Sequence, residues 1–149
     1  MIYAVIDTNV LVAAMLTHNN QSATIQVMEA MFANQIIPLY NEDIISEYED
    51  VLHRAKFGFS EADISHYLET LKKVGVHSQR IPSSEHFPDP KDVVFYEVAL
   101  SKDDAYLVTG NKRHFPQTPI VVTPTEMMDI LNLDKEAGNN LNTEVSDTL

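Results

Sequence analysis

Met1–Met15 reads MIYAVIDTNVLVAAM: an apolar run from Ile2 to Ile6, the polar link Asp7-Thr8-Asn9, and then a second apolar stretch from Val10 to Leu16. Ile2-Tyr3-Ala4-Val5-Ile6 is rich in β-branched and aromatic residues, the composition of a strand buried on both faces inside a parallel sheet. The three-residue link is too short to join two long strands as a hairpin. Strand, sharp turn and helix is the economical reading, with Asp7 at the carboxyl end of the strand. Ligands of open α/β sheets gather along that edge. A carboxylate there is either a helix cap or part of a site.

Working outward, Ser22 is placed to cap a helix carrying Ile25, Met28, Met31 and Phe32, and Ile36–Tyr40 reads as a second strand despite Pro38. Asn41 caps a third helix with an apolar stripe of Ile44, Tyr48, Val51, Leu52 and Ala55. Ser60 opens a fourth helix, with Lys72 and Lys73 in its last turn and Gly75 at the C′ position. Val76–Ile81 reads as a weak strand, and the proline-bearing segment 82–91 as a loop. A helix is expected from about Asp92 to Ser101, strands over Ala105–Thr109 and Pro119–Val122, and a short last helix capped by Thr123 or Thr125 and ending near Leu131. The alternation of strands and helices is that of a parallel α/β sandwich. One domain is expected over 1–132, followed by a polar tail, 133–149, expected to be disordered.

With 149 residues the chain is long enough for one domain with a substantial core, and 44% hydrophobic and 21% charged residues are ordinary values. The absence of cysteine excludes disulfides, thiolate zinc sites and thiol nucleophiles, and it fits a cytoplasmic setting. With a strand read from residue 2 no signal peptide is expected, and no apolar run approaches membrane-spanning length. The net charge of −12, from 22 acids against 10 bases, argues against binding nucleic acid through a broad basic surface. It is compatible with an enzyme that meets phosphates through a bound cation, or with a docking surface for a basic partner.

Three segments can bring side chains to the edge that carries Asp7. In Ile45-Ser46-Glu47-Tyr48-Glu49-Asp50, steps of about 100° per residue put Glu47 and Glu49 on opposite flanks of the apolar stripe, and the wheel alone does not choose between them. In Asp89-Pro90-Lys91-Asp92, both acids suit an ordinary helix start as well as a site. In Leu107-Val108-Thr109-Gly110-Asn111-Lys112-Arg113-His114-Phe115, a strand ends in polar side chains followed by cations. Lys112 and Arg113 are candidates for phosphate contact, and His114 is the histidine expected near the pocket. Grouped carboxylates raise one another's pKa unless a cation binds between them, and hard Mg²⁺ or Mn²⁺ takes such oxygen ligands.

These residues together resemble the PIN domain: Ile-Asp-Thr-Asn-Val-Leu-Val at 6–12, Glu47-Tyr48, Asp89-Pro90-Lys91-Asp92 and Tyr-Leu-Val-Thr-Gly-Asn at 106–111. More narrowly they are similar to the toxin–antitoxin branch, the VapC-like ribonucleases, over Met1 to about Leu131. The resemblance implies a Rossmann-like, three-layer α/β/α sandwich around a parallel sheet of four to five strands. It implies a Mg²⁺- or Mn²⁺-dependent ribonuclease leaving 5′-phosphate and 3′-hydroxyl ends. Carried over by position, Asp7, Glu47 and Asp92 match the three core acids, Asn9 a polar residue that orients the first acid, and Thr109 the hydroxyl after the fourth strand. Asp89 belongs to the same acidic pattern, as ligand or as cap. Asn111 departs from the Asp that PIN domains often carry there, which implies a weaker second metal. The partners implied are RNA and a small antitoxin protein, and family members often dimerise.

Other phosphate chemistries fit less well. A dehalogenase-like phosphatase needs a second Asp where Asn9 stands, and neither a G-x-x-x-x-G-K-[ST] nor a G-x-G-x-x-G loop is present. The rival to an enzyme is a degenerate PIN-fold module whose acidic pocket docks a basic protein.

Overall fold

The computed structural model describes residues 1–147, with side chains as far as Gly138. Five parallel strands, β1 (Ile2–Ile6), β2 (Ile36–Tyr40), β3 (Val76–His77), β4 (Tyr106–Val108) and β5 (Val121–Val122), form one sheet in the order β3-β2-β1-β4-β5. Six helices cover it: α1 (Thr8–Leu16), α2 (Ala23–Phe32), α3 (Glu42–Leu52), α4 (Glu61–Val74), α5 (Val93–Ala99) and α6 (Pro124–Asp147). This is the Rossmann-like α/β sandwich expected. β1 lies at the centre, and Ala4, Val5 and Ile6 are wholly buried because both faces of the strand are covered.

The order of the strands decides where a ligand can sit. The chain moves outward from β1 to β2 and β3, then crosses back to β4 on the far side of β1. Right-handed crossovers made in opposite directions place their helices on opposite faces of the sheet. Between the carboxyl ends of β1 and β4 the helices therefore diverge and leave a crevice. Asp7 follows β1 and Thr109 follows β4, so both stand at that crevice.

Helix starts follow the expected caps in most places. Asn41 accepts from the N–H of Ile44 at 2.9 Å, and Ser60 from that of Asp63 at 3.1 Å. At α6 the choice between Thr123 and Thr125 falls on Thr123. Its Oγ1 accepts from Glu126 N–H at 3.1 Å while Oε1 of Glu126 accepts from Thr123 N–H at 3.0 Å, a reciprocal capping box. Ser22 stands at the N-cap of α2 but makes no cap bond, and its hydroxyl pairs with that of Thr24.

Several expectations are corrected. Ala55 does not extend the stripe of α3: the helix ends at Leu52, and Ala55–Phe57 is a separate 3-10 turn closed by Gly58 at φ 67°. β3 stops at His77, because beyond Ser78 the chain leaves β2 and Ile81 donates to the Glu97 carbonyl of α5 at 3.0 Å. The last helix does not end near Leu131 but runs to Asp147. The remainder of the expected tail, side chains beyond 138 and residues 148 and 149, lies outside the described residues. Among the described residues no helix is long and apolar enough to cross a membrane.

Gly75 closes α4 in an extended conformation, φ −94°, rather than the left-handed one expected of a C′ glycine. Its reason is space. A Cβ there would lie 2.6 Å from the carbonyl oxygen of Pro38 and 2.7 Å from that of Leu71. The contact also explains how Pro38 is tolerated inside the sheet. Its carbonyl points to the β3 side, so its missing N–H does too, and β3 begins only at Val76, where no ladder bond from Pro38 is required.

Glu97 of α5, buried apart from 7% of its surface, straps the loop before Asp89 to the helix. It accepts from Arg80 Nε at 2.8 Å and from the N–H of Ser83 at 2.7 Å. Burial pushes this carboxyl up, and the Ser83 and Arg80 donors outweigh it, leaving Glu97 below the usual carboxylate range.

Two outcomes are expected. Gly75→Ala should cost about 2 kcal/mol by overpacking two fixed carbonyls, seen as a fall of about 4–8 °C in thermal unfolding. Glu97→Gln should cost about 1 kcal/mol at neutral pH. Because the folded carboxyl has the lower pKa, its contribution is complete above the unfolded value near ~4.3 and fades as pH falls through the folded one. Urea titrations should therefore find the wild-type advantage at pH 7 shrinking below pH ~4.

Candidate active site

Asp7 sits at the N-cap position of α1, yet its side chain makes no cap bond. It is 6% exposed, and Oδ2 accepts a 2.7 Å hydrogen bond from the Thr109 hydroxyl. Burial pushes the carboxyl up, with Thr109, the Thr8 N–H and His114 drawing it back and Glu47 adding to the rise. The alternative left open by the sequence is thereby resolved against a simple cap: this carboxylate is buried and aimed at the crevice. Behind it the wholly buried Tyr48 donates its hydroxyl to the Ile6 carbonyl, tying α3 to the end of β1. Burial raises that phenol far above its ordinary value, so it stays a donor.

A groove of about 460 Å³ opens from Asp7 and is lined also by Asn9, Leu16, Glu47, Val51, Arg54, Phe57, Asp89, Asp92 and His114. Glu47 and Val51 stand at i and i+4 on one face of α3, and Arg54 follows just past the helix end at Leu52. That face chooses Glu47 over Glu49, which lines a separate hollow with Tyr40, Lys72 and His77. A larger cleft of about 520 Å³ between Lys112 and Val121 contains no carboxylate, so size does not select the site.

The two acids of the loop before α5 behave differently. Asp89 does cap, its Oδ1 accepting from Lys91 N–H at 3.0 Å, while still lining the groove. Asp92 makes no cap bond for α5, and its buried Oδ2 has no hydrogen-bond partner. His114 Nδ1 lies 3.5 Å from that oxygen, within ion-pair range but longer than a sound hydrogen bond. Burial first, then the charges of Asp7 and Asp89, push Asp92 up to about 6.

The polar residues expected around the acids are distributed otherwise than by position. Asn9 does not bond to Asp7. Its Oδ1 accepts from Gly110 N–H at 3.0 Å, so it clasps the loop that presents Thr109, and Thr109 itself holds Asp7. Asn111 does not line the groove. Its amide Nδ2 meets His114 Nε2 at 3.1 Å, and its N–H donates to Thr109 Oγ1 at 3.0 Å. Lys112 is drawn away by Glu126, 3.0 Å off, and with Arg113 borders the neighbouring cleft. The basic side chains that line the acidic groove are Arg54 and His114. Arg54 was missed, and no helical spacing marked it, because it lies in an extended conformation beyond the end of α3.

The donor set suits a hard divalent cation: four carboxylates, Asp7, Glu47, Asp89 and Asp92, line the groove, and one oxygen of Asp92 is buried without a partner. Among the described residues no three acidic or histidine side chains are already gathered closely enough to hold a metal ion. Asp7 and Asp92 would be the residues to hold it, and Glu47, half-buried on α3, would have to swing in.

Crowding has a thermodynamic consequence. A carboxyl whose folded pKa lies above its unfolded one weakens the fold once pH exceeds both. In metal-free buffer at pH 7, Asp92→Asn should therefore be more stable by about 1 kcal/mol after allowing for the part that sees water. That is a thermal shift of about 2–4 °C upward. A downward shift would mean that Asp92 supports the helix start instead.

No curated protein matches the chain. A family model described as the PIN domain matches residues 3–113, a span that includes Asp7, Glu47, Asp92 and Thr109. With its five-stranded parallel sheet and its acids at the β1–β4 crevice, this chain belongs to the PIN domain family, whose members are generally nucleases that use divalent metals.

Proposed function

We propose that this chain is a Mg²⁺- or Mn²⁺-dependent ribonuclease that hydrolyses RNA phosphodiesters in the acidic groove. The observation that carries the reading is the pair Asp7 and Asp92: one carboxylate buried away from any cap, the other with a buried oxygen lacking a partner, both lining one groove. Such a pair is costly for the fold and is explained by a cation. When bound, the cation supplies Lewis acidity toward a phosphoryl oxygen and makes water acidic enough to attack phosphorus. The residues do the rest. Thr109 fixes the direction of Asp7. Glu47, on the α3 wall, is placed to accept the proton of the attacking water, directly or through another water. Arg54 at the rim offers positive charge to the strand in a groove otherwise dominated by carboxylates. The products by this reading carry 5′-phosphate and 3′-hydroxyl ends.

The finer assignment we propose is the toxin of a toxin–antitoxin pair acting in the cytoplasm as a homodimer, with a small basic antitoxin covering the groove. The acidic groove and the net charge of −12 support a basic partner. A second reading, a degenerate module that only docks such a partner, draws on one observation: three metal ligands are not preassembled among the described residues.

One experiment separates them. Asp7→Asn should keep the circular dichroism of the wild type and lower Mn²⁺-dependent cleavage of single-stranded RNA by roughly a hundred-fold or more, the loss expected for a direct ligand. Equal cleavage by both proteins would sink the enzyme reading, and absence of Mn²⁺ binding to the wild type would favour the docking module.

A further inference from the structure

We infer that His114, turned by Asn111, is the positioning residue that orients Asp92, so that Asn111 serves this site through an imidazole and not as a metal ligand. The consequence for metal binding rests on the ribonuclease reading above, while the geometry does not.

The local chain explains why the two residues meet. Lys112–His114 is a 3-10 turn in which the His114 N–H bonds to the Asn111 carbonyl at 3.2 Å. In that winding, side chains three apart lie one above the other. Phe115, buried and packed edge-on against Phe87, anchors the end of the turn. Asn111 thus reaches both acids. Its backbone N–H donates to Thr109 Oγ1, whose hydroxyl in turn donates to Asp7 Oδ2 at 2.7 Å. Its side chain reaches the far edge of the imidazole whose near edge faces Asp92 Oδ2 at 3.5 Å.

The direction of the amide decides where the ring carries its proton. An NH₂ group only donates, so Nε2 accepts from Asn111 and the neutral ring holds its hydrogen on Nδ1, toward the carboxylate. With the amide reversed, Nε2–H would donate to Asn111 and a bare Nδ1 lone pair would oppose the Asp92 lone pairs. Carboxylate and imidazole therefore favour the same arrangement. At 3.5 Å the N–H faces Asp92 Oδ2 without hydrogen-bonding to it, so it acts on the carboxylate by charge–dipole attraction and the buried oxygen stays open to a cation. An Asp at position 111 offers only acceptors to Nε2 and would call for a hydrogen on that nitrogen as well, whereas the Asn amide donates to it.

Two measurements test this. In metal-free protein, ¹⁵N NMR of the neutral His114 ring should find the proton on Nδ1, and Asn111→Ala should return it to Nε2, the position favoured by a free histidine side chain. A wild-type ring protonated on Nε2 overturns the inference. Calorimetric Mn²⁺ titration should then find His114→Ala and Asn111→Ala each about ten-fold weaker than wild type, and the double variant no weaker than His114→Ala, because the two act in series. Unchanged or tighter binding in His114→Ala, or losses that add, also overturn it. A wild type that binds no Mn²⁺ would instead defeat the ribonuclease reading, and the ring's proton position alone would then judge the orientation of His114.

Discussion

A carboxylate buried at the end of a strand is the constraint on which the rest of this structure depends. Asp7 is 6% exposed, and a buried charge is tolerated only if neighbouring groups hold and partly solvate it. Thr109 supplies the direct bond, 102 residues away in the chain. That bond demands that β4 lie beside β1 in register, as it does: Ile6 is opposite Val108, and Asp7 N–H reaches the Val108 carbonyl at 2.9 Å. The Asn9–Gly110 bond clasps the same two segments from the solvent side, and Tyr48 secures the Ile6 carbonyl from beneath. Three elements thus converge on one strand end, each by a polar contact in place of an apolar one.

The same constraint separates what stabilises the molecule from what serves the site. The core of Val5, Ile6, Val27, Met31, Leu39, Ile44, Leu107 and Met127 is apolar and continuous. At the carboxyl edge the pattern reverses. Asp7 and Asp92 are both raised, first by burial and then by neighbouring charge, and Oδ2 of Asp92 goes without a hydrogen bond. Glu97 shows the contrast on the other side of α5. It too is buried, but with donors from Arg80 and Ser83, and its pKa falls. Two acids five residues apart on one short segment therefore have opposite roles, one completing the fold and one opposing it.

Most of the fold was legible because it rests on short-range rules. The five apolar residues before Asp7, the caps at Asn41 and Ser60, and the stripes of α3 and α4 each depend on neighbours within a turn or a strand. Asp7, Glu47, Asp92 and Thr109 were grouped through the resemblance to the PIN domain, not by any local rule. What escaped were properties set by tertiary contact. Nothing local says that Glu126 will claim Lys112, that Asn9 will bond Gly110 instead of Asp7, or that Gly75 is needed for closeness to Pro38 and not for handedness. The length of α6 escaped for another reason: after Leu131 no dense apolar stripe continues that would mark a helix from the sequence.

The distribution of charge bears on how such a groove meets a polyanion. Lys112 is neutralised by Glu126 and Arg80 by Glu97, so the basic residues near the sheet edge are largely engaged in holding structure. Arg54, itself 3.4 Å from Asp50, and His114 are left to face the acids of the groove. A phosphate approaching such a surface meets net repulsion, and Arg54 at the rim does not reverse it at the centre, where Asp7, Asp92 and Glu47 stand. On the ribonuclease reading proposed above, affinity for RNA would be linked to occupation of the acidic centre by a divalent ion. Binding and chemistry would share one requirement, because the positive charge that admits the substrate is the same charge that activates it.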